Sequence, residues 1–359
     1  MHQSDFSQWF WYIAVSYSII SALVSAVIAR TKQRDQGNWF LLGIIFGIFA
    51  ISALLLMKKL PDELAPGNNL LLNPDRHLRS GWRVIIFLVI SLVVNSLLVS
   101  LARLSRVVPE PSILFLFYIA VLVSTVVMIK YIDSRRFVSV GFPYHGAIFR
   151  EIGLGFLIGT VMICLVGGFE IAFGAVKLSL RSNLSIILLV RNFGLSFLFF
   201  GFFALGEELL FRGYPFQALI EGMGNVGAII FMSVIFGLLH SGNPEATVFS
   251  TANTILAGVW LSVAYLKTRT LYFPFGAHFA WNLVQSFFLS LPVSGLLTNR
   301  TIFVPTDFGP DWFTGGRYGP EAGVGTTVVL IAATVFFILD KRIKPAYDYV
   351  ALKERVAAK

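Results

Sequence analysis

The sequence predicts an all-α fold, a polytopic bundle of transmembrane helices with about nine or ten membrane segments. Three observations carry this. Hydrophobic residues fill 56% of the 359 positions, and mean hydropathy is +0.77. Charged residues make up 13%, against about 25% in soluble domains. Apolar runs recur at close to the roughly 20 residues needed to cross about 30 Å of hydrocarbon.

Ten candidate segments follow in order, at about 8–29, 39–57, 84–102, 112–132, 152–175, 184–206, 226–240, 246–266, 271–291 and 323–339. Helices are required throughout, because backbone facing lipid must satisfy its hydrogen bonds within its own segment. Lys/Arg placement sets the orientation. The tail after Leu339 carries Lys341, Arg342, Lys344, Lys353, Arg355 and Lys359, which predicts a cytoplasmic C-terminus. Counting back puts Lys267, Arg269, Arg212, Lys130, Arg135, Arg136 and the stretch from Lys58 to Arg83 on the same side. Arg30, Lys32 and Arg34 would then lie outside, unless segment 39–57, with its Gly43 and Gly47, is re-entrant. The expected location is the cell (inner) membrane, with the chain crossing it many times.

The organisation reads as anchoring helices and a basic cytoplasmic loop over 1–135, a core over 136–340 and a basic tail over 341–359. The net charge of +9 sits between the apolar runs, so it fits anionic headgroups rather than nucleic acid. Cys164 is the single cysteine, which excludes an internal disulfide and a cysteine metal cluster. The Gly/Pro/Thr-rich loop 292–321 carries no readable role.

Ionisable groups inside membrane helices cost at least about 2.5–3.5 kcal/mol each near the centre, so they persist when paired or used. Three clusters stand out. In Gly206-Glu207-Glu208-Leu209-Leu210-Phe211-Arg212, Glu208 and Arg212 are one turn apart and can pair, which turns Glu207 to another face. In Phe236-Gly237-Leu238-Leu239-His240, the aromatic ring lies one turn before the imidazole. In His278-Phe279-Ala280-Trp281-Asn282, the histidine and the asparagine share a face. Each cluster alone also has a plain structural reading: a helix end at the headgroups, a capped core histidine, or hydrogen bonds that glue helices together. Taken together, two imidazoles, two carboxylates, a guanidinium and a carboxamide form an inventory that can activate water and hold an oxyanion. The same inventory could hold Zn2+ or another divalent metal through Glu207, His240 and His278, although the His-Glu-x-x-His helix of many zinc peptidases is absent.

The ordered set Glu-Glu-x-x-x-Arg, Phe-x-x-x-His and His-x-x-x-Asn resembles the CPBP family. That family holds CAAX prenyl endopeptidases of the Rce1 type and bacteriocin-processing or self-immunity proteins. The resemblance spans roughly 135–340 and rests on Glu207, Glu208 and Arg212, on Phe236 and His240, and on His278 and Asn282. It implies an all-α intramembrane endopeptidase. Glu207 would be the general base, helped by His240. His278 and Asn282 would hold the oxyanion, while Glu208 and Arg212 would order the site. The implied partners are a peptide or lipid-modified protein substrate and the bilayer. Two other readings stand beside this one: a non-catalytic immunity or scaffold protein on the same fold, and a proton-coupled transporter. The transporter would need inverted repeats, and none is evident.

Overall fold

The computed structural model describes residues 3–61, 71–73, 78–105, 114–182, 185–296 and 302–345. Arg76, His77 and most of the basic tail lie outside the described residues. Among the described residues, twelve α-helices follow in order: α1 (Gln3–Thr31), α2 (Gln36–Phe46), α3 (Ile48–Leu56), α4 (Ser80–Ser105), α5 (Leu114–Val127), α6 (Ile148–Ala172), α7 (Ile186–Arg212), α8 (Tyr214–His240), α9 (Val248–Thr268), α10 (Tyr272–Leu283), α11 (Asp311–Thr314) and α12 (Val324–Leu339). Two strands, β1 (Val176–Leu180) and β2 (Phe303–Asp307), pair antiparallel with Val176 opposite Asp307. Among the described residues, five helical stretches are long and apolar enough to cross a membrane. They are Ser80–Ser105, Phe115–Ile132, Ile148–Ala172, the α7–α8 stretch Ile186–His240, and Val248–Thr268. Their outward faces carry exposed leucines, such as Leu97, Leu101, Leu157 and Leu198, as expected when lipid is the solvent.

Residue contacts divide the chain into two compact units, 1–89 with 218–228, and 90–217 with 229–359. In the first, α1 packs on α2 because Gly43 has no side chain where its Cβ would meet Ala22 and Ser21. The second apolar run is broken at Gly47, whose φ of 51° suits glycine, and the Ile48 N–H there donates to the Tyr17 hydroxyl at 2.9 Å. Lys32 Nζ donates to the carbonyls of Leu55 (2.6 Å) and Met57 (2.5 Å), and Arg34 donates to Lys58 O at 3.0 Å. The run therefore ends where it began. Arg30, Lys32 and Arg34 then share an end with Lys58 and Lys59, and the conflict in the charge count is gone.

The second unit holds the buried core. Its tightest seam joins α6 and α10. A Cβ on Gly155 would strike Phe273 O, one on Gly159 would strike Ala277 O, and one on Gly276 would strike Ile152 O. The Gly155-to-Gly159 spacing thus serves backbone-to-backbone packing. Met162, Ile163, Val166, Trp260, Trp281 and Leu330 fill the core next to this seam, joining α6, α9, α10 and α12. The sheet is the main departure from an all-helical chain. β1 follows α6, and β2 lies in the stretch that carried no readable role.

Candidate active site

The motif residues of α7, Glu207, Glu208 and Arg212, sit in its last two turns. The apolar run ends near Leu205, but the helix continues to Arg212, because the charges are paired inside the bundle instead of reaching out to headgroups. Arg212 Nη1 donates to Glu208 Oε1 at 2.9 Å, and the two side chains are 1% and 0% exposed. Arg212 Nη2 donates to Gly258 O at 3.1 Å, tying α7 to α9. The guanidinium also lies 4.9 Å from the centre of the Phe236 ring, a cation–π contact.

His278, on α10, donates from Nδ1 to the same Glu208 oxygen at 2.9 Å. That bond fixes the imidazole and turns Nε2 to Glu207 Oε2, 3.6 Å away. His240 closes α8, and its Nδ1 donates to Phe236 O at 2.8 Å. Its Nε2 lies 4.0 Å from the same Glu207 oxygen. The Phe236 ring sits 4.4 Å from the His240 ring, centre to centre. Phe236 therefore supports both the imidazole and the guanidinium, which explains an aromatic residue one turn before a histidine. Gly237 brings α8 close to α9, because a Cβ there would run into Ile255.

Glu207 thus faces away from Glu208, as the 100° step around the helix requires. Tyr118, on α5, donates to Glu207 Oε1 at 3.2 Å. Gly206 makes that possible, since a Cβ at 206 would overlap the Tyr118 ring.

These groups line a cavity of about 390 Å³. Of the six sequence-identified residues, Glu207, His240, His278 and Asn282 border it, and Glu208 and Arg212 lie buried behind it. Aromatic side chains, among them Phe199, Phe203, Phe236 and Trp281, form one part of the wall. Asn243, Thr254, Ser294 and Glu321 form a polar part. Sequence reading missed Tyr118, Ser294 and Glu321. Tyr118 is one aromatic among many in its run, and the other two sit in a loop without periodicity, so no local signal marks them.

Glu321 Oε2 accepts from the Ser294 N–H at 2.5 Å and from its hydroxyl at 2.8 Å. Burial pushes the Glu321 carboxyl up, against the downward pull of the Ser294 bonds and of His240 and His278.

A divalent metal would require Glu207, His240 and His278 to converge as ligands. Among the described residues, no three His, Cys, Asp or Glu side chains are placed to hold a metal ion.

Residues 189–284 match a family model described as Type II CAAX prenyl endopeptidase Rce1-like. Over this stretch the chain is similar to that family. The matched stretch contains all seven residues of the three motifs, whereas Tyr118, Ser294 and Glu321 fall outside it. At family level the Rce1-like match implies protease activity. No curated protein matches the chain.

Proposed function

We propose that the protein is an intramembrane endopeptidase that hydrolyses a peptide bond in a membrane-associated or lipid-modified substrate. One observation carries the reading. A single carboxylate oxygen, Glu207 Oε2, lies within reach of the Nε2 atoms of two histidines from different helices, 3.6 and 4.0 Å away, at the wall of a cavity. A water molecule held there can give a proton to Glu207 while its oxygen adds to the scissile carbonyl. With Nδ1–H committed to Phe236 O, neutral His240 offers Nε2 as a second acceptor to the same water. Tyr118 orients the carboxylate by donating to its other oxygen.

The tetrahedral intermediate places negative charge on the former carbonyl oxygen. In this reading, His278 Nε2 and the Asn282 amide donate to it. His278 already gives Nδ1–H to Glu208, so donation from Nε2 requires the imidazolium. Two carboxylates, one guanidinium and one imidazolium then sum to zero charge, which suits a site surrounded by lipid. The proton on Glu207 next passes to the leaving amine and completes hydrolysis. Glu208 and Arg212 act through His278 and so position it.

The Lys/Arg content of the tail supports a cytoplasmic C-terminus in this reading. The activity test is cleavage of membrane peptides by purified, reconstituted protein. Glu207→Gln, Glu207→Ala and His240→Ala should each abolish cleavage while the fold survives. Retained cleavage in either Glu207 variant would overturn the assignment. A cellular phenotype that persists in Glu207→Ala would favour the non-catalytic immunity or scaffold reading.

A further inference from the structure

The cavity has a second carboxylate that the hydrolytic scheme does not use. Glu321 stands on the short turn Pro320–Ala322, in a different part of the chain from the three motif helices. One of its oxygens, Oε2, is spent on the Ser294 N–H and hydroxyl. The other, Oε1, accepts no hydrogen bond among the described residues, although the residue lines the cavity.

The surroundings are built to hold that carboxylate in place. Ser294 sits at φ 48° and Gly295 at φ 80°, a left-handed pair that only a tight turn uses. The turn is closed by the Val293–Leu296 pairing and by Gly295 N–H donating to Tyr318 O at 2.9 Å. Asn253 Nδ2 donates to Glu321 O at 2.8 Å and to Gly323 O at 3.0 Å, which ties the turn to α9. A carboxylate needed only to pin Ser294 would serve as well facing solvent. Here it borders the same cavity as Glu207, His240 and His278, which the neutral polar groups of Asn243 and Thr254 also line. Burial of this kind costs free energy unless an opposite charge or further donors arrive.

We infer that Glu321 and the Ser294 turn form a cation-binding subsite that takes a Lys or Arg side chain of the peptide substrate, close to the bond being cut. The inference rests on the peptidase reading for its substrate. An ammonium or guanidinium supplies the donors that Oε1 lacks, and Asn243 and Thr254 can share the remaining N–H groups. The aromatic residues that also line the cavity suit the apolar neighbours of that side chain. Glu321 borders the same cavity as Glu207, so the basic residue is read at a fixed offset from the scissile bond.

The test uses full-length protein in detergent and a set of fluorogenic peptides. One position at a time is set to Lys, Arg, norleucine or Glu. Wild-type protein should prefer Lys or Arg over norleucine at one position. Glu321→Gln keeps an oxygen for Ser294 but loses the charge. It should lower kcat/KM for the basic peptide on the order of 10- to 100-fold, mainly through KM, and leave the norleucine peptide within about twofold. Glu321→Lys should shift the preference towards the Glu peptide. An equal loss for all peptides in Glu321→Gln would reduce Glu321 to a turn pin and overturn the subsite. So would equal cleavage of basic and norleucine peptides by wild type at every position. If wild type cleaves nothing, the peptidase reading fails separately, and binding of labelled Lys and norleucine peptides decides the subsite. Tighter Lys binding that disappears in Glu321→Gln supports it, and equal binding refutes it.

Discussion

Replacing Glu208 and Arg212 singly and together gives the sharpest test of how the site is held. At 2.9 Å, with side-chain exposures of 0% and 1%, the pair's attraction is about 6 kcal/mol at an effective dielectric of about 20. Desolvation opposes most of that gain, but removing one partner strands the other, at a cost of about 3–5 kcal/mol. The two single variants should not be equal. Without Arg212, Glu208 still accepts from His278, so Arg212→Met should fall at the low end of that range. Without Glu208, both Arg212 and His278 lose their acceptor, so Glu208→Met should fall at the high end. The double variant strands neither charge and should be destabilised by much less than the sum, with a coupling of about 2–3 kcal/mol. SDS-driven unfolding followed by tryptophan fluorescence measures all four proteins. Additive losses would mean that the two charges are separately solvated, and the ordering role given to them would fall.

The remaining predictions address chemistry, packing and the periphery. Glu207→Gln keeps the shape of the side chain and should cut kcat about 100- to 10,000-fold with unfolding unchanged; a loss below tenfold in reconstituted vesicles would remove it as general base. Tyr118→Phe deletes only the hydroxyl that donates to Glu207 and should lower kcat modestly, about 3- to 30-fold, with KM unchanged. Gly159→Leu would drive a side chain into the backbone of Ala277, one residue before His278. It should destabilise by about 1–3 kcal/mol or more and abolish cleavage, seen as a lower unfolding midpoint together with lost turnover. Hydrogen bonds from Arg342 hold the Asp340 carboxyl down to about 2. Since this lies below the unfolded value of about 3.9, the contribution is present above about pH 4 and is lost as pH falls towards 2. The difference between wild type and Asp340→Asn should be small because the Arg342 partner is exposed, constant from pH 5 to 8, and gone near pH 2.

The helices were legible because lipid imposes one solution on an apolar run. The α7 motif shows where that logic stops. Hydropathy ends the segment at about 206, yet the helix runs to Arg212, because Glu208 neutralises the arginine within the protein and hydropathy does not register pairing. The one-turn spacings of Glu208 with Arg212 and of Phe236 with His240 were readable, since a helix fixes which residues meet. That His278 Nδ1 would join the Glu208 oxygen already held by Arg212 depends on the α6–α10 seam and on α9, which no local pattern encodes. The break at Gly47 was foreshadowed by its glycine and by misplaced positive charge. The β1–β2 pair was not, because Val176–Leu180 is short and its partner lies more than a hundred residues away.

The arrangement also explains why the two adjacent glutamates must differ. A base needs a carboxylate with uncommitted lone pairs facing the cavity, and Glu207 has one fixed contact, from Tyr118, on the oxygen away from the histidines. A positioning group needs a carboxylate saturated by charged donors, and Glu208 Oε1 takes both Arg212 and His278. Adjacent positions on one helix satisfy both demands, because the 100° step sends one side chain into the cavity and the other into the core. Exchanging the environments would fail in both directions. A base clamped by guanidinium would be too weak to take a proton from water, and an unclamped carboxylate behind His278 would leave the imidazole free to rotate. A protein in which Glu208 carried the hydrolytic proton and Glu207 were dispensable would contradict this division, and the Glu207→Gln and Glu208→Gln turnover numbers, measured side by side, separate the two cases.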